Sequence, residues 1–163
     1  MNIYFDMDGV LAKWNADASL EDTFERGYFR KREVEWKIKK VIRELYDEGY
    51  PVHILTAAYV EGTAVSDKMA WLDKQELGDI PAIMAAYGSR KSDFVPGGRH
   101  ILIDDFTRNL FEWEEDGHVG VKFYNGINGT HGHWGGYSID RNQTPQQMAT
   151  IIKAIFTTSL KQI

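Results

Sequence analysis

The sequence predicts an α/β protein of three layers, with a central, mostly parallel sheet. Three observations carry that expectation. Short apolar, β-branched or aromatic runs alternate with stretches of helical spacing, the rhythm of βαβ units. The run at residues 100–105 is almost continuously apolar until it reaches two acids, as suits a strand covered on both faces. Finally, 163 residues make one domain, residues 1–163, large enough to bury a core but too short for two. Together these describe a Rossmann-like arrangement.

The first strand begins at Ile3-Tyr4-Phe5 and runs into Asp6-Met7-Asp8-Gly9-Val10-Leu11, where glycine permits a sharp turn. Residues 12–32 break the rhythm. They are polar with interspersed aromatics (Trp14, Phe24, Tyr28, Phe29) and are expected to form a small, partly helical cap inserted after the first strand. From Glu33, the spacing of Val34, Ile38, Val41, Ile42 and Leu45 predicts a helix, stopped by Gly49-Tyr50-Pro51. A second strand follows at residues 51–56. Residues 61–77 read as a helix with Val65, Met69 and Leu72 towards the core and Gly78 closing it.

Residues 80–85 form the expected third strand, and Gly88-Ser89-Arg90-Lys91-Ser92 a polar loop. The fourth strand spans 100–105. A short helix over 107–116 offers Leu110, Phe111 and Trp113 for packing, and residues 119–124 form the fifth strand. Residues 125–142 read as a glycine-rich loop. Thr144-Pro145 supplies an N-cap and first-turn proline for a last helix through Met148, Ile151, Ile152 and Ile155.

Composition narrows the partners. A formal charge of −5 argues against a nucleic-acid surface, which needs a basic face, but leaves room for a small basic pocket. Zero cysteines exclude a disulfide framework and a thiolate metal site. No run approaches 18 apolar residues, so no membrane partner is expected, and the start lacks a signal-peptide pattern. The default location is cytoplasmic. A homodimer is compatible with these properties.

The chemistry lies where strands end. Asp6 and Asp8 repel each other unless something positive is shared between them, and a divalent metal beside a phosphate is the natural candidate. Thr56, Lys91 and Asp104/Asp105 close later strands or follow them, and a parallel sheet brings such ends to one rim. The set comprises a carboxylate nucleophile, a second acid, a hydroxyl, a cation and a further carboxylate pair. Phosphoryl transfer through an aspartyl phosphate uses that equipment. A calcium loop would need another acid or amide where Gly9-Val10-Leu11 stands.

In this order, Asp6-Met7-Asp8-Gly9-Val10, Thr56, Lys91 and Ile103-Asp104-Asp105 resemble the four motifs of the haloacid dehalogenase (HAD) superfamily, and Asp8 resembles its phosphatase branch. A closer likeness is to the 5'(3')-deoxyribonucleotidases, through residues 5–12, Gly27-Tyr28-Phe29-Arg30 and Lys68-Met69-Ala70-Trp71-Leu72. The chain departs from them at Thr56-Ala57, where they often have Thr-Ser, and around Arg32-Glu33-Val34, where they have a proline-glycine entry to the first helix.

The resemblance implies a Mg²⁺-dependent phosphomonoesterase of nucleotide metabolism acting on (deoxy)nucleoside monophosphates. Asp6 would be the nucleophile and Asp8 the proton carrier. Thr56, the Ala57 N–H and Lys91 would bind phosphate. The metal would be held by Asp6, the Asp8 carbonyl and Asp105, with Asp104 acting through water. Trp14 matches the family's base-lining aromatic, and Tyr28 and Phe29 complete the expected substrate pocket. Other small phosphomonoesters, the phosphorylated end of a nucleic acid, or a silent nucleotide-binding module are the alternatives. Lys68 reads as a solvated lysine and Trp71 as core. His131 and His133 read as parts of a loop at the edge of the site rather than zinc ligands.

Overall fold

The computed structural model describes residues 1–128 and 134–161. His131 and His133 lie outside the described residues. Strands β1 (Ile3–Phe5), β2 (Val52–Ala58), β3 (Ala82–Ala86), β4 (Ile101–Asp104), β5 (Val119–Tyr124) and β6 (Tyr137–Asp140) make one sheet. Their order is β3-β2-β1-β4-β5-β6, and every pairing is parallel. The chain first moves outward from β1 to β3, then returns to place β4 on the other side of β1. Such a reversal opens a crevice at the carboxyl ends of the two central strands, where α/β sheets bind ligands.

The alternation of a strand sorts β1 between two cores. Ile3 and Phe5 pack with residues of α1 (Trp36–Asp47), α2 (Ala64–Lys74) and α4 (Pro145–Leu160), while Tyr4 packs on the other face with Leu110 and Trp113 of α3 (Thr107–Glu115). Each large apolar side chain so buried contributes roughly 1.5–3 kcal/mol relative to exposure. Gly49 takes φ 86°, the left-handed conformation that ends α1. Thr144 Oγ1 accepts from the Gln147 N–H, the Thr144 N–H donates to Gln147 Oε1, and Pro145 fills the first turn of α4.

Several expectations are corrected. Residues 33–35 are not helical: Val34 bridges Ala12, and the Glu35 N–H donates to the Leu11 carbonyl, so this segment ties down the turn after β1. Residues 137–140 are the edge strand β6 rather than loop; Ile139 is its one buried residue, leaving almost no apolar signal. The left-handed residue after α2 is Glu76 and not Gly78. Val65, Met69 and Phe111 are exposed. The inward stripe of α2 is instead Ala64, Asp67, Lys68, Trp71 and Leu72, two of them charged.

The segment between β1 and α1 contains two 3-10 turns, Glu21–Phe24 and Phe29–Lys31. Asp67 of α2 anchors it, accepting from the Gly27 N–H and Arg30 Nε, each at 2.6 Å, and from Thr63 Oγ1 at 3.0 Å. No helix among the described residues is long and apolar enough to cross a membrane.

Candidate active site

Asp6 is the first residue past β1, and its N–H donates to the Ile103 carbonyl at 2.9 Å, the last backbone bond joining β1 to β4. Beyond it the chain turns through Met7 and Asp8 to Gly9 at φ 81°. A Cβ at Gly9 would fall 2.2 Å from Asp105 Oδ2, so this position needs glycine for space as well as conformation. The carboxylates of Asp6, Asp104 and Asp105 approach closely enough that one oxygen from each lies within 4.8 Å of the others.

Lys91 lies in a 3-10 turn (Lys91–Phe94) after β3 and is buried. Its ammonium donates to Asp104 Oδ2 at 2.6 Å and meets Asp6 Oδ1 at 2.8 Å. Neighbouring Arg90 turns away, towards Glu115 and Asp116, which separates the two cations of this loop. Asp104 is occupied further by Asn109 Nδ2 at 2.9 Å and the Phe106 N–H at 2.8 Å. Asp105 faces the cavity instead and accepts from Asn125 Nδ2 at 2.9 Å. Adjacent positions thus serve different surroundings, as strand alternation requires.

Crowding and burial perturb these groups. Burial, with Asp104 and Asp8 assisting and Lys91 opposing, pushes Asp6 up to about 7. Burial, with Asp104 and Asp6, pushes Asp105 up to about 8 against Lys91 and Lys122. Burial acts to lower the Lys91 ammonium, yet Asp104 and Asp6 raise it above its ordinary value. Three carboxylates, Asp6, Asp104 and Asp105, cluster beside two ammonium groups, Lys91 and Lys122, leaving negative charge in excess. An all-oxygen donor set with this deficit fits a hard divalent cation such as Mg²⁺, for which Asp6 and Asp105 present carboxylates.

Lys68 is one residue that sequence reasoning missed. It is fully buried, and its three N–H donors go to the Asp8 carboxylate, Thr56 Oγ1 at 2.8 Å and the Ala57 carbonyl at 2.7 Å. The ammonium also sits 4.6 Å from the centre of the Phe29 ring. A lysine is solvated by default, but this one finds all its partners where β2 ends beside Asp8.

A cavity of about 640 Å³ opens over Asp6, Asp8, Lys91 and Asp105. Ala57, Trp14 and Phe29 line it. Thr56 does not; it is fully buried, with its hydroxyl bonded to Lys68. Tyr28 also departs from expectation, because Arg32 stacks on its ring at 4.3 Å and holds it outside the lining. The cavity gains an unexpected aromatic wall: Tyr59 lies 4.5 Å from Tyr87 and 4.4 Å from Phe24, centroid to centroid. Tyr59 and Tyr87 follow β2 and β3 directly, so aromatic residues just past strand ends were the available signal.

No family model matches the chain, and no curated protein does. Among solved structures, a haloacid dehalogenase-like family hydrolase from Streptococcus pneumoniae shares the fold. It is 14% identical, with a TM-score of 0.58, over 93% of this chain and 97% of that one.

Proposed function

We propose that the chain is a Mg²⁺-dependent phosphomonoesterase working through an aspartyl phosphate, with (deoxy)nucleoside monophosphates as its preferred substrates. The observation carrying this reading is the junction of β1 and β4, where Asp6, Lys91 and Asp105 meet beneath one cavity that Asp8 also lines. The fold shared with a haloacid dehalogenase-like hydrolase supports the same reaction class.

In this mechanism a carboxylate oxygen of Asp6 attacks phosphorus while the bond from phosphorus to the ester oxygen breaks. Asp8 donates its proton to that departing oxygen, releasing the alcohol. Asp8 then takes a proton from water, whose oxygen attacks phosphorus; the acyl phosphate opens, restoring Asp6 and releasing inorganic phosphate. Lys91 and the Ala57 N–H balance charge on the phosphoryl oxygens. Thr56 acts by fixing Lys68. Asp6, Asp105 and the Asp8 carbonyl would hold a Mg²⁺ ion, which would supply Lewis-acid charge to the phosphoryl group.

Trp14 lines the cavity on one segment and Tyr59 and Tyr87 on others, so a leaving group bound there would meet these rings. Flat aromatic surfaces suit a nucleobase better than a sugar phosphate, which needs a polar wall. The test is a phosphatase assay with Mg²⁺ across nucleoside monophosphates and sugar phosphates, beside Asp6→Asn. Hydrolysis of a nucleoside monophosphate that disappears in Asp6→Asn is expected. Hydrolysis persisting at the parent rate in that variant overturns the nucleophile.

A further inference from the structure

We infer that Asn125 is a positioning residue that sets the distance between the Asp6–Asp8 turn and Asp105, and through it the affinity of the site for a divalent cation. The inference rests on the metal-dependent reading above. The two acid-bearing segments leave adjacent strands, but the last backbone bond between those strands is the one from the Asp6 N–H to the Ile103 carbonyl. Past that point the ladder no longer fixes their separation.

Asn125 spans the gap. Its side-chain Nδ2 donates to the Gly9 carbonyl and to Asp105 Oδ2, both at 2.9 Å. The two N–H groups of one amide thereby hold the turn that follows the nucleophile and the carboxylate contributed by β4. Both ends of the amide are engaged. Its Oδ1 accepts from the N–H groups of Ile127 at 3.1 Å and Asn128 at 3.2 Å. The Asn125 N–H donates in turn to Asn128 Oδ1 at 3.0 Å, and Arg141 Nη1 donates to the Asn125 carbonyl at 2.7 Å.

The same loop secures the backbone of Asp105. Asn128 Nδ2 donates to the Asp105 carbonyl at 2.8 Å, and buried Lys122 does so at 2.6 Å. Both the carboxylate and the carbonyl of Asp105 are therefore fixed by residues 122–128. Gly9 completes the fit, since the Asp105 carboxylate fills the space a Cβ would need. Neutral amides orient an acid without neutralising it, leaving its charge for a cation. Groups that orient metal ligands in this way typically govern affinity by about 10–100-fold.

The experiment is calorimetric titration of the full chain with Mg²⁺, and with Mn²⁺ as a second probe, for the parent, Asn125→Ala and Asn125→Leu. Near-UV circular dichroism of the cation-free proteins reports the fold. Asn128→Ala serves as a second variant, because it releases the Asp105 carbonyl and the Asn125 N–H but keeps the Asn125 Nδ2 donor to the Asp105 carboxylate. A Kd raised about 10–100-fold in Asn125→Ala, with an unchanged spectrum and a smaller rise in Asn128→Ala, is the expected result. A folded Asn125→Ala whose Kd stays within about threefold of the parent overturns the inference while leaving the phosphatase reading intact. A parent protein that binds neither cation removes the metal-dependent reading and this inference with it.

Discussion

Lys68, with no solvent exposure, donates a hydrogen bond to the carboxylate of Asp8 and shares its other two with Thr56 and Ala57. One ammonium therefore joins α2, the end of β2 and the proposed proton carrier.

Replacing it should separate chemistry from binding. Lys68→Met keeps the aliphatic stem beside Phe29 but frees Asp8 from its fixed orientation. Positioned acid–base groups contribute roughly 10²–10⁴-fold, so kcat should fall by about 10²-fold or more while KM moves little. Steady-state kinetics on a nucleoside monophosphate, beside a circular-dichroism spectrum to verify folding, makes the measurement. A folded variant with the parent kcat would remove Lys68 from the mechanism.

Lys68 also marks where the sequence stops being legible. Strands β1, β2, β4 and β5 and helix α4 are announced by apolar runs and by the Thr144-Pro145 cap, because their neighbours are apolar or their ends are capped locally. Along α2 the apolar pattern points to Val65 and Met69, which are exposed, since the face turned inward meets the acid Asp8 and the segment at residues 27–30. Periodicity detects apolar surroundings, so a helix buried against polar groups misleads it. Strand β6 fails for a different reason: as an edge strand it buries only Ile139. The acids were legible because their spacing is local, whereas Asn125 meets Gly9 across 116 residues and Tyr87 meets Tyr59 across the sheet.

The aromatic wall predicts a specificity change. Tyr87 is 59% exposed, so Tyr87→Leu should leave folding intact, and Tyr59→Leu tests the ring that lies between it and Phe24. A stacked base is worth about 1–3 kcal/mol. KM for a nucleoside monophosphate should therefore rise by about tenfold, and KM for glycerol phosphate should hold. Trp14→Ala is expected to behave alike. Equal rises for both substrates would mean that these rings do not contact a base.

Asp67 predicts how residues 12–32 are held. It is buried, and burial alone would raise its pKa, but Arg30, the Gly27 N–H and Thr63 outweigh burial and hold the carboxyl below its ordinary value. Asp67→Ala leaves those donors without their acceptor. Bonds to charged groups contribute roughly 1.5–3 kcal/mol each, so local detachment should precede global unfolding. Limited proteolysis should then cut first within residues 12–32. Cleavage at the parent rate would show that the segment is secured elsewhere.

The raised acids make stability depend on pH in a direction that a cation reverses. Asp6 at about 7 and Asp105 at about 8 bind protons more tightly in the folded chain than at the ordinary value of 3.8. A folded-state pKa above the unfolded one gives a contribution that is complete below the unfolded pKa and is lost as pH rises through the folded value. In EDTA, the melting temperature should therefore decline as pH rises from about 5 to about 9. Mg²⁺ binds the ionised carboxylates in preference to the protonated ones, so its stabilisation should be greater at the alkaline end. Asp105→Asn removes one of the two titrations and should flatten the decline while weakening the response to Mg²⁺. A decline of unchanged slope in that variant would assign the pH dependence to groups outside the acid cluster.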